Sequence, residues 1–321
     1  MTDVLDRLME WKKYPKAVHV ISTGAGVQSS TLSEMADAGA ISPKPIAGIF
    51  GDTQAEPASV YRWLAYLEKR LSFPIYKVTH GSLVEKELKV TRSGRSGKMY
   101  RHNKIPLFTM EQEEVACDCA LERASAIDRG EDPSEVIECE RCDDTGKIMR
   151  PKKGMMPRMC TMDFKIKPVI RKIREICNIP RGCKEVRVIQ WIGISRDEYL
   201  RGKPSQVPWI VNRWPLLEMK MTRQDCLDYW AERGLPKPPK SACSFCPYHN
   251  DVEWNRLKND EPKEFAKAVD FERKVQKAAT KSEVSAGIPF LHRSCVPLNK
   301  VAFTDNKSNQ FQNECVGMCG V

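Results

Sequence analysis

At 321 residues, with 52 Lys and Arg against 42 Asp and Glu for a formal charge of +10, the chain can bury a substantial core without disulfide staples, and it suits polyanionic partners such as nucleotides and nucleic acid. No apolar run reaches the length of a membrane span, and the opening "MTDVLDRLMEWKKYPK" lacks the apolar core of a signal peptide, so a cytoplasmic protein with no membrane partner is expected. With no export signal, the 13 cysteines point to metal or redox chemistry rather than structural disulfides.

The first element is the apolar run Val18-His19-Val20-Ile21, a short buried strand, and the Leu32/Met35/Ala36 spacing after it is that of a helix packed on a sheet. Between them "STGAGVQSS" supplies Ser22, Thr23, Gly24, Gly26, Gln28, Ser29 and Ser30. Glycines let backbone N–H groups approach an anion, hydroxyls add donors and a helix start is positive, so strand, loop and helix together can form a phosphate cradle. A plain strand-to-helix turn rich in small residues is the alternative. "PIAGIFGDT", the helix "PASVYRWLAYLEKRL" and "PIYKVTH" continue the alternation, which predicts an α/β fold with a parallel sheet and crossover helices. Ligands of such a sheet sit at the strand carboxyl ends, where the glycine loop and "GDTQAE", with Asp52 and Thr53, both fall.

Residues 91–157 break the rhythm. "TRSGRSGKMYRHNKIP" reads as a Gly- and Arg-rich loop, and the following segment places Cys117 and Cys119, then Cys139 and Cys142, around a polar, partly helical stretch. Two close thiolate pairs suit a tetrahedral zinc, each pair fixing one edge of the tetrahedron; a redox-sensitive loop is the alternative. Cys177, Cys183, Cys226 and Cys295 stand singly and read as packing residues. The α/β pattern returns with the basic helix "CTMDFKIKPVIRKIREIC", the strand "VRVIQWIGIS" and the helix "TRQDCLDYWAERG", with Thr222 as its N-cap. Charged amphipathic helices follow from about Asp251, and the chain closes on "NECVGMCGV". Residues 1–90 and 158–250 are thus expected to be two halves of one nucleotide-binding domain, 91–157 a cysteine-rich insertion, and 251–321 a helical region with a cysteine tail.

Five of these pieces, in order, resemble the phosphoadenosine phosphosulfate (PAPS) reductase branch of the PP-loop enzymes, the superfamily of the adenine nucleotide alpha-hydrolase fold. "STGAGVQSS" resembles the pyrophosphate loop S-G-G-x-x-S, and "FGDTQAEPASVYRWL" the second-strand signature beginning D-T-G, with Gln54 in place of the glycine. "MCTMDFKIKPVIRKI" is similar to C-C-x-x-x-K-x-x-P-L, "WIGISRDEYLR" to G-I-R-x-D-E-S, and "RWPLLEMKMTRQDCLDYWAERGLPKPPKSACSFCP" to the segment ending in C-x-x-C. The resemblance covers most of 18–248 and leaves out the insertion. It implies a nucleotide site of Ser22, Thr23, Gly24, Gly26, Gln28, Ser29, Ser30, Asp52, Thr53, Gly193 and Ser195, for ATP or a sulfonucleotide (PAPS or adenylyl sulfate). Asp52 either holds magnesium or fixes its loop. Lys165 and Arg196 are the implied charge clamps, oriented by Asp197 and Glu198.

Two departures shape the expected chemistry. Met159 stands where the first cysteine of the pair would be, leaving Cys160, Cys243 and Cys246; by resemblance these hold a [4Fe-4S] cluster with one open iron. A zinc there, or a fourth ligand from Cys315 or Cys319, is the alternative. The tail retains Glu314-Cys315 but continues differently and adds Cys319, giving a nucleophile, a resolving pair or a metal clamp. The leading expectation is an ATP-using enzyme that adenylates a tRNA, DNA or nucleotide acceptor for sulfur transfer, with a sulfur donor protein or thiol reductant as partner. A sulfonucleotide reductase acting through Cys315, and a non-catalytic zinc-stabilised nucleic-acid-binding module, are the alternatives.

Overall fold

The computed structural model describes residues 8–130, 132, 141–142, 145, 147–284 and 287–304. Its centre is a sheet of five parallel strands: β1 (Val18–Ser22), β2 (Gly48–Asp52), β3 (Ile75–Thr79), β8 (Val188–Ile192) and β9 (Ile210–Arg213), in the order β3-β2-β1-β8-β9. Neighbouring residues of a strand point to opposite faces, and both faces are covered. Ile21, Trp191 and Val211 pack under α1 (Val27–Asp37), α2 (Ala58–Arg70) and a helix at Arg223–Glu232. Val20, Ile49, Val188 and Ile210 pack on the other side with Val169 and Ile173 of the helix Lys167–Ile176. Each fully buried Leu or Ile of these layers contributes ~1.5–3 kcal/mol.

Strand order locates the site. The chain runs outward through β2 and β3 on one side of β1, then returns to lay β8 against the other side. The crevice beyond the carboxyl ends of β1 and β8 is therefore the topological switch point, the usual ligand position of an open α/β sheet. The glycine loop follows β1, and Gly193–Ser195 follow β8.

The stretch expected as a loop after residue 90 contains the hairpin of β4 (Val90–Arg92) and β5 (Met99–Arg101), closed by the Ser93 N–H on the Lys98 carbonyl at 2.9 Å. Next comes a ribbon: β6 (Phe108–Ala116) pairs antiparallel with β7 (Lys147–Met155), Phe108 opposite Met155 and Ala116 opposite Lys147, with the helix α3 (Asp118–Asp128) after β6. β10 (Ile288–Phe290) joins the other edge of β6 and ties the ribbon to the C-terminal region. A second core gathers Leu83, Ile105, Leu107 and Phe164 with Trp254, Leu257, Phe271 and Val275 of two helices, Asp251–Asp260 and Pro262–Ala279. No helix among the described residues is long and apolar enough to cross a membrane.

Candidate active site at the switch point

The N–H groups of Val27, Gln28 and Ser29 open α1 and have no carbonyl one turn back to receive them, so the helix start presents donors and positive potential to the crevice. Ser29 is turned into its own loop: its Oγ accepts from the Gly24 and Gly26 N–H groups, each at 3.2 Å. Ala25 between them has φ +55°, the left-handed bend that lets both N–H groups converge on one oxygen. Ser30 Oγ accepts from the Trp63 indole at 2.8 Å, which pins α1 to α2. Thr23 and Ser22 are buried at the strand end. Gly193 closes against the helix start: a Cβ there would lie 2.8 Å from the Ser29 nitrogen and 2.9 Å from its Cα, so only glycine lets the β8 loop come this close. Gln28 bridges the two loops, its Nε2 donating to Ser195 Oγ at 3.3 Å and Glu198 Oε2 at 3.2 Å while Arg223 donates to its Oε1 at 3.0 Å.

At the end of β2, Asp52 Oδ1 accepts from the Gln54 N–H and from the Tyr61 hydroxyl, both at 2.8 Å. Burial and that carboxylate push the Tyr61 hydroxyl well above its usual range. Gln54 adopts φ +59°, the conformation a glycine would supply there. Thr53 Oγ1 is 3.3 Å from Cys243 Sγ, and the Ser244 N–H bonds the Ala55 carbonyl at 2.9 Å, so the C-x-x-C turn is stitched onto the β2 loop.

Cys160, Cys243 and Cys246 line one cavity together with Thr53, Thr161 and Lys165. Cys160 precedes a π-helical turn, Thr161–Ile166, that carries Lys165 inward against Gly51, where a Cβ would sit 2.9 Å from the Lys165 Cα. Lys165 Nζ pairs with Glu56 at 2.9 Å, with side chains 5% and 0% exposed, and Cys243 Sγ lies 3.8 Å from the same carboxylate oxygen. Met159 is exposed. Lys165 and Arg196 are not brought together: Lys165 lies against β2, on one side of β1, and Arg196 is exposed beyond β8 on the other.

The insertion cysteines form a second group. Cys117, Cys119 and Cys142 are all buried, and their sulfurs lie within 4.8 Å of one another; among the described residues no other set of three or more such ligands does so. Cys119 and Cys142 sulfurs are 3.4 Å apart. A tetrahedral ion with sulfur at ~2.3 Å holds its sulfurs ~3.8 Å apart. The insertion group therefore has the span of a single metal ion, and the cavity group is set wider. Cys139, Cys315 and Cys319 lie outside the described residues.

No family model and no curated protein matches the chain. The solved structure of phosphoadenylyl-sulfate (PAPS) reductase from Candida auris, in its phosphate complex, is similar over 74% of this chain and 80% of that one, at 14% identity and a TM-score of 0.34. Glu56, Tyr61 and Arg223 escape a reading of the sequence because each acts on the crevice through a partner on another element; none carries a spacing signal of its own.

Proposed function

We propose that the chain is an adenine-nucleotide-dependent enzyme of the PP-loop type that activates a nucleic-acid or nucleotide acceptor for sulfur transfer. The observation that carries this reading is the donor-lined start of α1 at the switch point, closed by Gly193, with a three-cysteine cavity fastened to the adjoining strand end. The free N–H groups of α1 would hold the β- and γ-phosphates of ATP, and Asp52, fixed by Tyr61, would hold magnesium. An acceptor oxygen then attacks the α-phosphorus; the bond to the bridging oxygen breaks, and pyrophosphate leaves with its electron pair. A sulfur nucleophile subsequently displaces AMP from the activated acceptor.

Cys160, Cys243 and Cys246 fit an iron–sulfur cluster better than a single ion, because a cluster sets its ligand sulfurs farther apart. When bound, such a cluster supplies iron for holding sulfur; Lys165 and Glu56 position the Cys243 turn beside it. Zinc suits Cys117, Cys119 and Cys142, with Cys139 as the expected fourth ligand.

Anaerobically purified protein should bind MgATP, and Gly193→Ala, checked for folding by thermal melting, should bind it at least tenfold more weakly. Labelled ATP should yield AMP and pyrophosphate when acceptor RNA or DNA is added. Release of sulfite from a sulfonucleotide without ATP would replace this reading with the reductase.

A further inference from the structure

Beyond β8 and β9 the sheet edge opens into a cleft of about 490 Å3 lined by Arg196, Tyr199, Leu200, Trp214, Leu217 and Lys220 among others. That volume suits one small planar ligand, within the ~300–1,000 Å3 typical of such pockets. Tyr199 and Leu200 are 58% and 78% exposed on the short helical segment Arg196–Arg201 and present apolar surface to the cleft. Gly202 lies beside the Trp214 indole, where a Cβ would make an ordinary contact with Cε2 at 3.7 Å. The indole N–H, buried, has no acceptor among the described residues.

Charge adds direction. The cleft lining includes Arg196 and Lys220 and no carboxylate, and neither cation is in an ion pair among the described residues. Lys220 also carries a conformational cost. It ends the helical turn Pro215–Glu218 at φ +57°, with the Met221 N–H bonded to the Leu216 carbonyl at 2.9 Å, a position where glycine is the usual residue.

The cleft is mechanically joined to the switch point. Gln28 at the start of α1 donates to Ser195 and Glu198, and Glu198 pairs with Arg201, so the segment bearing Tyr199 and Leu200 hangs from the glycine loop.

We propose that this cleft seats one unpaired base, with the phosphate beside it, of a single-stranded nucleic acid: an aromatic face and apolar floor for the base, two cations for the phosphate. Its role as the acceptor subsite rests on the nucleotide reading above; the binding itself does not.

The test is fluorescence anisotropy with short labelled single strands of RNA and of DNA, and with their duplexes, at fixed salt. Tyr199→Ala and Lys220→Gly should each weaken single-strand binding about tenfold, as loss of a stacking or phosphate contact does, and leave duplex binding unchanged. Lys220→Gly should also keep or raise Tm, because it relieves the left-handed residue, so a weakened complex cannot be blamed on misfolding. A preference for RNA or for DNA names the acceptor. Wild-type affinity in both variants, equal loss on duplex, or AMP alone binding as tightly as a strand would overturn the proposal. MgATP binding measured in parallel separates the two claims: strands bound without ATP binding would sink the nucleotide reading and leave the cleft.

Discussion

Cys117, Cys119 and Cys142 meet at the end of a ribbon whose strands are largely exposed, whereas Cys160, Cys243 and Cys246 line a cavity whose walls belong to the second core. In the first group Ile148 is, among the described residues, the one hydrophobic neighbour packed on the thiols. In the second, Phe164, Phe245, Trp254 and Leu257 are buried around the site. The contrast teaches which partner does the folding. On the proposed reading, the described part of the insertion has little core and would draw the free energy that orders it from a bound metal, whereas at the cavity packing sets the thiol spacing before any metal arrives.

The widest separation of the two should come from removing the metal proposed for the ribbon. Cys119→Ser, or a chelator, should abolish one metal equivalent and with it a binding free energy of about 10 kcal/mol or more for a structural zinc. Hydrogen exchange then reads the result: amides of β6 and β7 lose protection while β1 and β8 keep theirs. Protection persisting in a metal-free ribbon would mean that β10 and the strand pairing suffice, and the contrast would fail.

On the cavity side the corresponding break is electrostatic. Glu56→Gln removes the carboxylate from the Lys165 ammonium in a site where both side chains are nearly inaccessible. Breaking such a pair costs about 3–5 kcal/mol in urea unfolding, and Glu56→Gln/Lys165→Met together should recover most of it. Equal losses in single and double variants would show that Lys165 is held by something other than Glu56.

These elements differ in how readily the sequence reveals them. β1, β2, β8 and the helices on the sheet were legible because burial on both faces demands near-continuous apolar strands and 3.6-residue helical spacing, and Thr222 does cap its helix, accepting from the Asp225 N–H at 3.2 Å. β6 and β7 were not. "FTMEQEEVA" and "KIMRPKKGM" carry no alternation, and most of their residues are exposed among the described ones, so strand identity is decided largely by pairing. The convergence of Cys160 with Cys243 and Cys246 on one cavity follows from motif order, but the Glu56 carboxylate beside them is fixed by a fold contact that no local spacing encodes.

The sheet carries a pH response of its own. His19 Nδ1 accepts from the Trp191 indole at 2.7 Å, and burial, reinforced by Arg213, lowers the imidazole from 6.5 to about 4. The unfolded chain therefore takes up a proton that the folded one refuses between those values. Stability from this group is complete above pH 6.5 and is lost as pH falls towards 4, by about 3 kcal/mol. His19→Gln, which can still accept from the indole, should flatten that part of the urea-midpoint profile. An unchanged slope would assign the pH response to other groups.

The smallest effect belongs to the ribbon surface. Lys152 reaches Glu113 at 2.7 Å and Lys147 reaches Glu114 at 2.8 Å, with all four side chains about half exposed or more. Solvent screens such pairs, and ordering two long side chains offsets what attraction remains. In metal-loaded protein, Lys152→Ala and Lys147→Ala should leave Tm unchanged. A marked loss in either would mean that the ribbon is held by its surface charges rather than by its thiols, and the two cysteine groups would then differ in spacing alone, not in what folds the segment around them.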